Sequence, residues 1–205
     1  MSLFNRLFCL LLIIVSASTL GACGFLNLKR AVPSEDVRKV LAAKQVVLPN
    51  KVQEFGDKAH KFKMLPPKGF LYSQVETSHG SIFTFSTPQR KDGRAGVLTV
   101  SCVDNKKGAK KALPSFVLTA VLEPLTRSCI DFHEGSVESF DDKGRSFLGA
   151  QFTGSYGGYY PIIGYVYVTP VEDAFYIIQW QDGELHYPLT KDVMRNSFNS
   201  LEIEY

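Results

Sequence analysis

The chain changes its hydrophobic period at about Lys61, and this change separates two regions of different structure. Before that point Val37 and Leu41 follow Ser34 at helical spacing, and Ser34 can cap a helix N-terminus. After it, apolar and polar residues alternate with the period of two that half-buried strands show. The pattern predicts a short helix over about residues 34–45, followed by a strand-rich domain.

Two segments of this domain have helical rather than alternating patterns. Residues 113–128 carry Pro114 near their start and apolar residues at most positions, which predicts a largely buried helix. Pro124 is expected to kink or end that helix. A second helix is predicted over residues 190–200, where one side is apolar.

The remaining alternating runs predict an antiparallel sheet. They lie at residues 72–78, 81–87, 96–103, 131–140, 147–153, 162–169 and 174–181, with a last short strand near residues 201–205. Short turns join most neighbouring runs, and helices intervene at only two places. The predicted fold class is therefore α+β, an antiparallel sheet packed with helices.

The N-terminus has the organisation of a secretory signal. A single charge, Arg6, precedes an apolar run from Leu7 to Val15. That run is shorter than the about 20 residues that span a bilayer, but it suits the apolar core of a signal peptide. The alternative, a buried N-terminal helix, is less favoured because the segment offers no polar face to solvent.

The four residues that close this signal, Leu20-Gly21-Ala22-Cys23, resemble the lipobox of bacterial lipoproteins. The resemblance implies that Cys23 receives a diacylglyceryl group and that residues 1–22 are removed. Two or more long acyl chains hold a protein on a membrane almost permanently. In that family an aspartate after the cysteine favours the inner membrane. Gly24 stands there instead, so the outer membrane, facing the periplasm, is the expected location.

The number of cysteines predicts a disulfide, and the net charge bears on which partners the protein could bind. Once Cys9 leaves with the signal and Cys23 is acylated, Cys102 and Cys129 remain, and an isolated pair in an oxidising compartment favours a disulfide. The alternative is two buried free thiols. The formal net charge of +3 falls to +2 when Arg6 is removed, and this balance does not indicate nucleic-acid binding.

The order of motifs resembles the PsbP-like fold, shared by a photosystem II extrinsic subunit and a yeast Ran-binding protein. The bend Pro67-Lys68-Gly69-Phe70 matches its P-x-G-[FW] motif, and Ser197 to Leu201 match its S-F-x-x-[LIV] ending. The resemblance implies an αβα sandwich and a largely non-enzymatic role in binding or assembly. The predicted organisation is a signal peptide (1–22), a lipidated tether with a short helix (23–58) and a PsbP-like domain (59–205).

The search for catalytic residues leaves one candidate pair. Asp131 and His133 are two positions apart on a predicted strand, so they share a face and could act as an acid–base pair or hold a cation. A surface pair without function is the favoured interpretation. The sequence His133-Glu134 does not continue to a zinc-binding H-E-x-x-H helix, because Val137 occupies the required position. No metal or cofactor motif is present in the sequence, and we expect a non-enzymatic protein.

Two segments could instead contact a partner. Lys106, Lys107, Lys110 and Lys111 could meet anionic head groups, although a solvated loop is the favoured alternative. Tyr159 and Tyr160 belong to a tyrosine-rich stretch that could form a contact patch, although cross-strand packing is the favoured alternative.

The sequence therefore predicts a lipid-anchored envelope protein that binds a membrane through Cys23 and an envelope protein through its surface. Two other hypotheses remain. One is a carrier of a small apolar ligand, which requires an apolar cavity between helix and sheet. The other is an envelope enzyme that uses Asp131 and His133.

Overall fold

The computed structural model describes residues 39, 42–47, 55–57, 61–77, 80–91, 94–104 and 112–204. Two helices have defined bounds in this part of the chain, α1 (Pro114–Ser128) and α2 (Tyr187–Asn199). The strands are β1 (Val46–Val47), β2 (Phe55–Asp57), β3 (Phe62–Met64), β4 (Leu71–Thr77), β5 (Gly80–Ser86), β6 (Val97–Asp104), β7 (Cys129–Asp142), β8 (Arg145–Tyr156), β9 (Tyr160–Val171), β10 (Ala174–Gly183) and β11 (Glu202–Ile203).

Eight strands form one antiparallel sheet, in the order β1-β4-β5-β6-β10-β9-β8-β7. Strands β11, β3 and β2 form a small second sheet. Tight turns connect β7 to β8 and β8 to β9. In the first of these, Lys143 and Gly144 have φ of 49° and 77°, the left-handed values that a two-residue hairpin turn requires. The alternating pattern thus produces the antiparallel sheet that the sequence predicts.

Each face of the large sheet is covered by a different layer. Apolar side chains of α1, including Val121 and Leu125, pack against Phe152 and Val166 on one face. On the other face lie α2 and the small sheet, where Phe198 stacks on Tyr167 with ring centroids 4.8 Å apart. The predicted α+β fold class, with helices on both sides of an antiparallel sheet, is confirmed.

Helix α1 continues through Pro124 to Ser128, so the prediction that this proline could end the helix is wrong. Proline removes one backbone hydrogen bond from a helix interior, at a cost of about 3 kcal/mol. Pro124 and its neighbours Leu122 and Leu125 are buried against the sheet, and this burial offsets the cost.

The predicted disulfide is not formed: Cys102 and Cys129 are buried thiols on strands that are not neighbours in the sheet. Cys102 lies on β6 and Cys129 on β7, with β10, β9 and β8 between them. That order separates the two strands by about 19 Å, whereas a disulfide needs Cα atoms within about 7 Å. The two thiols also belong to the apolar clusters on opposite faces of the sheet.

The folded part of the chain begins before residue 59, where the sequence placed the start of the domain. Strand β1 pairs with β4, and β2 pairs with β3. Gln45 Nε2 donates a hydrogen bond of 3.4 Å to Ser86 Oγ. Residues 42–47 therefore dock on the large sheet. The predicted signal peptide and Cys23 lie outside the described residues. Within the described ranges, no helix has the length and apolar character that crossing a membrane requires.

Candidate interaction surface

The tyrosine-rich segment turns tightly between β8 and β9. Gly157 and Gly158 both have positive φ, 64° and 78°, which a glycine adopts without strain. The turn projects Tyr159 into solvent, with 69% of its surface exposed. Tyr160, the first residue of β9, is half-buried and packs against the α1-side core. The structure thus separates two neighbouring tyrosines that the sequence analysis treated as one contact group.

Tyr160 is held in place by a glycine on the neighbouring strand. A Cβ built on Gly183 of β10 would lie under 3.0 Å from the Tyr160 ring, so the ring occupies the space that a side chain would fill. The Arg94 guanidinium lies over the same ring, with Cζ 3.4 Å from its centroid. It also lies 5.8 Å from the Tyr159 centroid, so one cation stabilises both rings.

Two further tyrosines of this segment, Tyr165 and Tyr167, belong to the core on the α2 side. Tyr165 stacks on Trp180 with centroids 5.1 Å apart, and Tyr167 lies 5.3 Å from the same indole. Burial, and then the proximity of Tyr165 and Glu138, raises the pKa of Tyr167 to about 12. Tyr165 and Tyr167 are therefore packing residues between neighbouring strands and do not form a contact patch.

Tyr159 shares its end of the sheet with three other exposed apolar side chains. Ile130, the second residue of β7, is 54% exposed and lies beside Gly158, while Leu185 and Leu189 are 86% and 77% exposed. Leu185 follows Glu184, whose backbone N–H donates to Pro161 O at 2.9 Å. We call Ile130, Tyr159, Leu185 and Leu189 the apolar end surface. The sequence analysis did not identify these two leucines. The signal that could have found them is the segment of residues 184–189, ELHYPL, which has leucines at the start of a helix outside its apolar face.

A buried ion pair fixes the start of α2, where Leu189 of the apolar end surface lies. Arg90 donates two hydrogen bonds to the Asp182 carboxylate, at 2.6 and 2.8 Å. Asp182 also accepts from Thr190 Oγ1 and from the Gly183 backbone N–H, both at 2.7 Å. The network joins the β5–β6 loop, the end of β10 and the first turns of α2. The two leucines at the start of α2, Leu185 just before it and Leu189 in its first turn, are thereby presented on a fixed support.

Strand β6 ends at the opposite end of the sheet, and the lysine segment follows it in the sequence. Lys106, Lys107, Lys110 and Lys111 lie outside the described residues, but Asp104, which precedes them, pairs with Ala174. Gly183, beside Tyr160, is nine residues further along β10, a distance of about 30 Å. The point where the lysine segment leaves β6 is thus far from the apolar end surface.

Asp131 and His133 lie at an irregularity near the start of β7. A register shift lies between Ile130 and His133, and Asp131 has a left-handed φ of 52°. This bulge breaks the simple alternation from which one shared face was predicted. Both side chains are exposed, and no hydrogen bond joins them. Among the described residues, no three His, Cys, Asp or Glu side chains come together as metal ligands.

A cavity of about 360 Å³ lies beside the small sheet, away from α1. Five of its eight lining residues are charged; the lining residues are Asp142, Lys143, Arg145, Phe147, Leu201, Glu202, Ile203 and Glu204. Lys143 Nζ donates to the carbonyls of Asn199 and Leu201, at the end of α2. This charged lining does not match the apolar cavity between helix and sheet that the carrier hypothesis requires.

The arrangement of a twisted antiparallel sheet between two helical layers is the PsbP-like fold. The solution structure of cyanobacterial PsbP from Synechocystis is similar, with a TM-score of 0.55 and 13% identity over 77% of this chain and 95% of that one. A protein of unknown function from Pseudomonas aeruginosa has a TM-score of 0.50 and 12% identity, over 65% of this chain and 98% of its own. No protein-family model matches the chain, and no curated protein matches its sequence.

Proposed function

We propose that this chain is a lipid-anchored protein of the bacterial cell envelope that acts, without catalysis, as a binding or assembly factor. The lipobox-like sequence at Cys23 supports the anchor. The apolar end surface supports the binding role and is the observation that carries it, because four large apolar residues at the same end of the sheet are each more than half exposed.

Burial of the apolar end surface in a protein interface would stabilise a complex appreciably. A leucine side chain contributes roughly 1.5–3 kcal/mol when it moves from full exposure to full burial. Leu185 and Leu189 are among the most exposed apolar residues of the described chain, so little of this free energy is already used in folding. Tyrosine and arginine are enriched at protein interfaces, and the Arg94 guanidinium lies 5.8 Å from the ring centroid of Tyr159.

The binding role is tested by a deletion strain complemented with Leu185→Ser/Leu189→Ser. Loss of the envelope function with unchanged melting temperature is expected, because exposed substitutions alter stability by under about 0.5 kcal/mol. Leu65→Ser/Leu113→Ser is the matched control, since both leucines are exposed away from this surface. Full complementation by the Leu185/Leu189 variant would exclude the surface as the binding site.

Two further variants test the anchor and the non-enzymatic role. Cys23→Ser should abolish incorporation of labelled fatty acid and release the protein from washed membranes, because the acyl acceptor is gone. Asp131→Asn and His133→Gln should complement fully, because neither side chain is catalytic under this proposal. If either were a catalytic acid or base, its loss would lower the rate by about 10²–10⁴-fold. Loss of function by these two variants at unchanged melting temperature would instead support the enzyme hypothesis.

A further inference from the structure

Strand β7 presents a long, unpaired edge to solvent. It is the last strand of the large sheet and pairs with β8 along one side. Along the other side, no strand in the described part of the chain pairs with it. Ten of its fourteen residues are exposed, including Val137 at 53%. Such an edge offers backbone N–H and C=O groups to which an extended chain can add.

The first half of this edge is irregular, and the second half is regular. Register shifts lie between Ile130 and His133 and between Glu134 and Val137. From Val137 to Asp142 each residue follows its partner on β8 in unbroken register. An added strand requires a continuous row of backbone groups, so Val137–Asp142 is the part of the edge that can receive one.

The charges on β7 restrict what can pair there. The strand contains five carboxylates and neither lysine nor arginine; the carboxylates are Asp131, Glu134, Glu138, Asp141 and Asp142. Asp141 accepts a hydrogen bond of 2.5 Å from Ser146, but no described cation forms an ion pair with any of the five. Glu138 lies on the α2 side of the sheet with Phe140, whereas Asp141 lies on the α1 side with Val137.

The negative charges of β7 disfavour pairing with a second copy of this chain or with nucleic acid, and they favour pairing with a basic extended segment. A second copy of this chain would place acidic β7 against acidic β7, and like charges directly opposite each other destabilise strand pairing. Nucleic acid would be repelled as well. An extended segment with lysine or arginine at alternating positions would place cations beside Glu138 or Asp141, while its backbone completes the hydrogen bonds of the edge.

We propose that Val137–Asp142 binds an extended basic segment of a partner protein as an added β-strand. This inference rests on the proposed binding role but uses a surface distinct from the two leucines. The backbone of Val137–Asp142 supplies the hydrogen-bonding groups, and the carboxylates of Glu138 and Asp141 supply the preference for cations. Electrostatic attraction between exposed groups is screened by salt, so this pairing weakens as ionic strength rises.

The test is a titration of the ¹⁵N-labelled full chain, in detergent micelles, with a synthetic peptide of alternating lysine and valine. The amides of Val137–Asp142 should shift and gain protection from hydrogen exchange. A glutamate–valine peptide should not bind. Glu138→Gln/Asp141→Asn should weaken binding by roughly twofold to fivefold, because the lysines then lose a carboxylate partner on whichever face of the sheet they take. Asp173→Asn/Glu184→Gln, which removes two exposed carboxylates elsewhere, should leave binding unchanged.

The proposal is overturned by any of four results: no binding at millimolar peptide, equal binding of both peptides, amide shifts confined to other strands, or a dimer paired through β7. Failure of the apolar end surface is a separate outcome. Leu185→Ser/Leu189→Ser should leave peptide binding unchanged, so a silent leucine variant in the complementation assay would remove that surface and leave the edge proposal standing.

Discussion

Strands β10 and β7 belong to the same sheet but lie in opposite environments. Nine of the ten residues of β10 are buried, whereas ten of the fourteen in β7 are exposed. Both carry polar residues. On β10 the Asp182 carboxylate is enclosed and satisfied by Arg90, Thr190 and a backbone N–H. On β7 the carboxylates face solvent.

This difference indicates where the molecule is stabilised and where it can bind. A buried charge contributes through the partners that satisfy it, so its loss should mainly affect folding. An exposed charge contributes little to stability and stays available to another molecule. Substitutions in and around β10 should therefore lower stability, and those on β7 should leave it nearly unchanged.

Asp182→Asn should have the largest effect, because it leaves the Arg90 guanidinium without its counter-charge. Breaking a buried ion pair typically costs 3–5 kcal/mol, and we expect about 3 kcal/mol because part of Arg90 remains in water. Chemical denaturation measures the change, with Glu138→Gln on β7 as the control. Equal stabilities of the two variants would contradict the contrast between the strands.

Gly164→Ala should come next, because the Phe152 ring occupies the space above this glycine. A Cβ there would lie under 3.0 Å from three ring atoms, and overpacking a core typically costs about 1–3 kcal/mol. Gly56→Ala on β2 controls for the general effect of adding a methyl group, because its Cβ would come no nearer than 3.4 Å to its neighbours. A wild-type melting temperature for Gly164→Ala would mean that the ring moves freely.

Tyr160→Ala and Tyr159→Ala compare the effect on stability of a packed residue with that of an exposed residue next to it. Tyr160 loses its packing on Gly183 and under Arg94, and we expect a destabilisation of about 2 kcal/mol. Tyr159 is exposed, so its loss should change stability by under about 0.5 kcal/mol. Thermal melting of both variants decides this. A larger loss for Tyr159 would reverse the assignment of core and surface.

The smallest effect on stability at neutral pH concerns Cys129, the first residue of β7 and its one buried residue. Burial raises the pKa of this thiol to about 11, although a hydrogen bond with Tyr156 lowers it, against an ordinary value of 9.0. Because the folded state retains the proton more strongly, this contribution is complete below pH 9 and is lost as the pH rises through 11.

Alkaline titration of stability measures this effect. The free energy of unfolding should fall between pH 9 and 11, and Cys129→Ala should reduce the slope in that range. At neutral pH the thiol should resist alkylation in the folded protein, because little thiolate is present. Rapid modification of Cys129 under native conditions would show that the start of β7 opens readily.

The sequence by itself determined the local elements of this protein. A period of two over residues 162–169 and 174–181 predicted strands that the structure extends by a few residues at their ends. The apolar pattern of residues 113–128 predicted α1, and the small number of helices predicted the α+β class. These features follow from side-chain periodicity, which depends only on neighbouring residues. The resemblance of two short motifs to the PsbP-like fold added the layered arrangement.

Only the tertiary structure decided which distant segments meet. Cys102 and Cys129 suited a disulfide by their number, but the strand order separates them by three strands. The bulge at Asp131 removed the shared face expected with His133, and Leu185 joined Tyr159 at one end through the β9–β10 pairing. Strand order and bulges result from long-range pairing and packing, whose free energy is summed over the whole sheet and is not encoded in any local period.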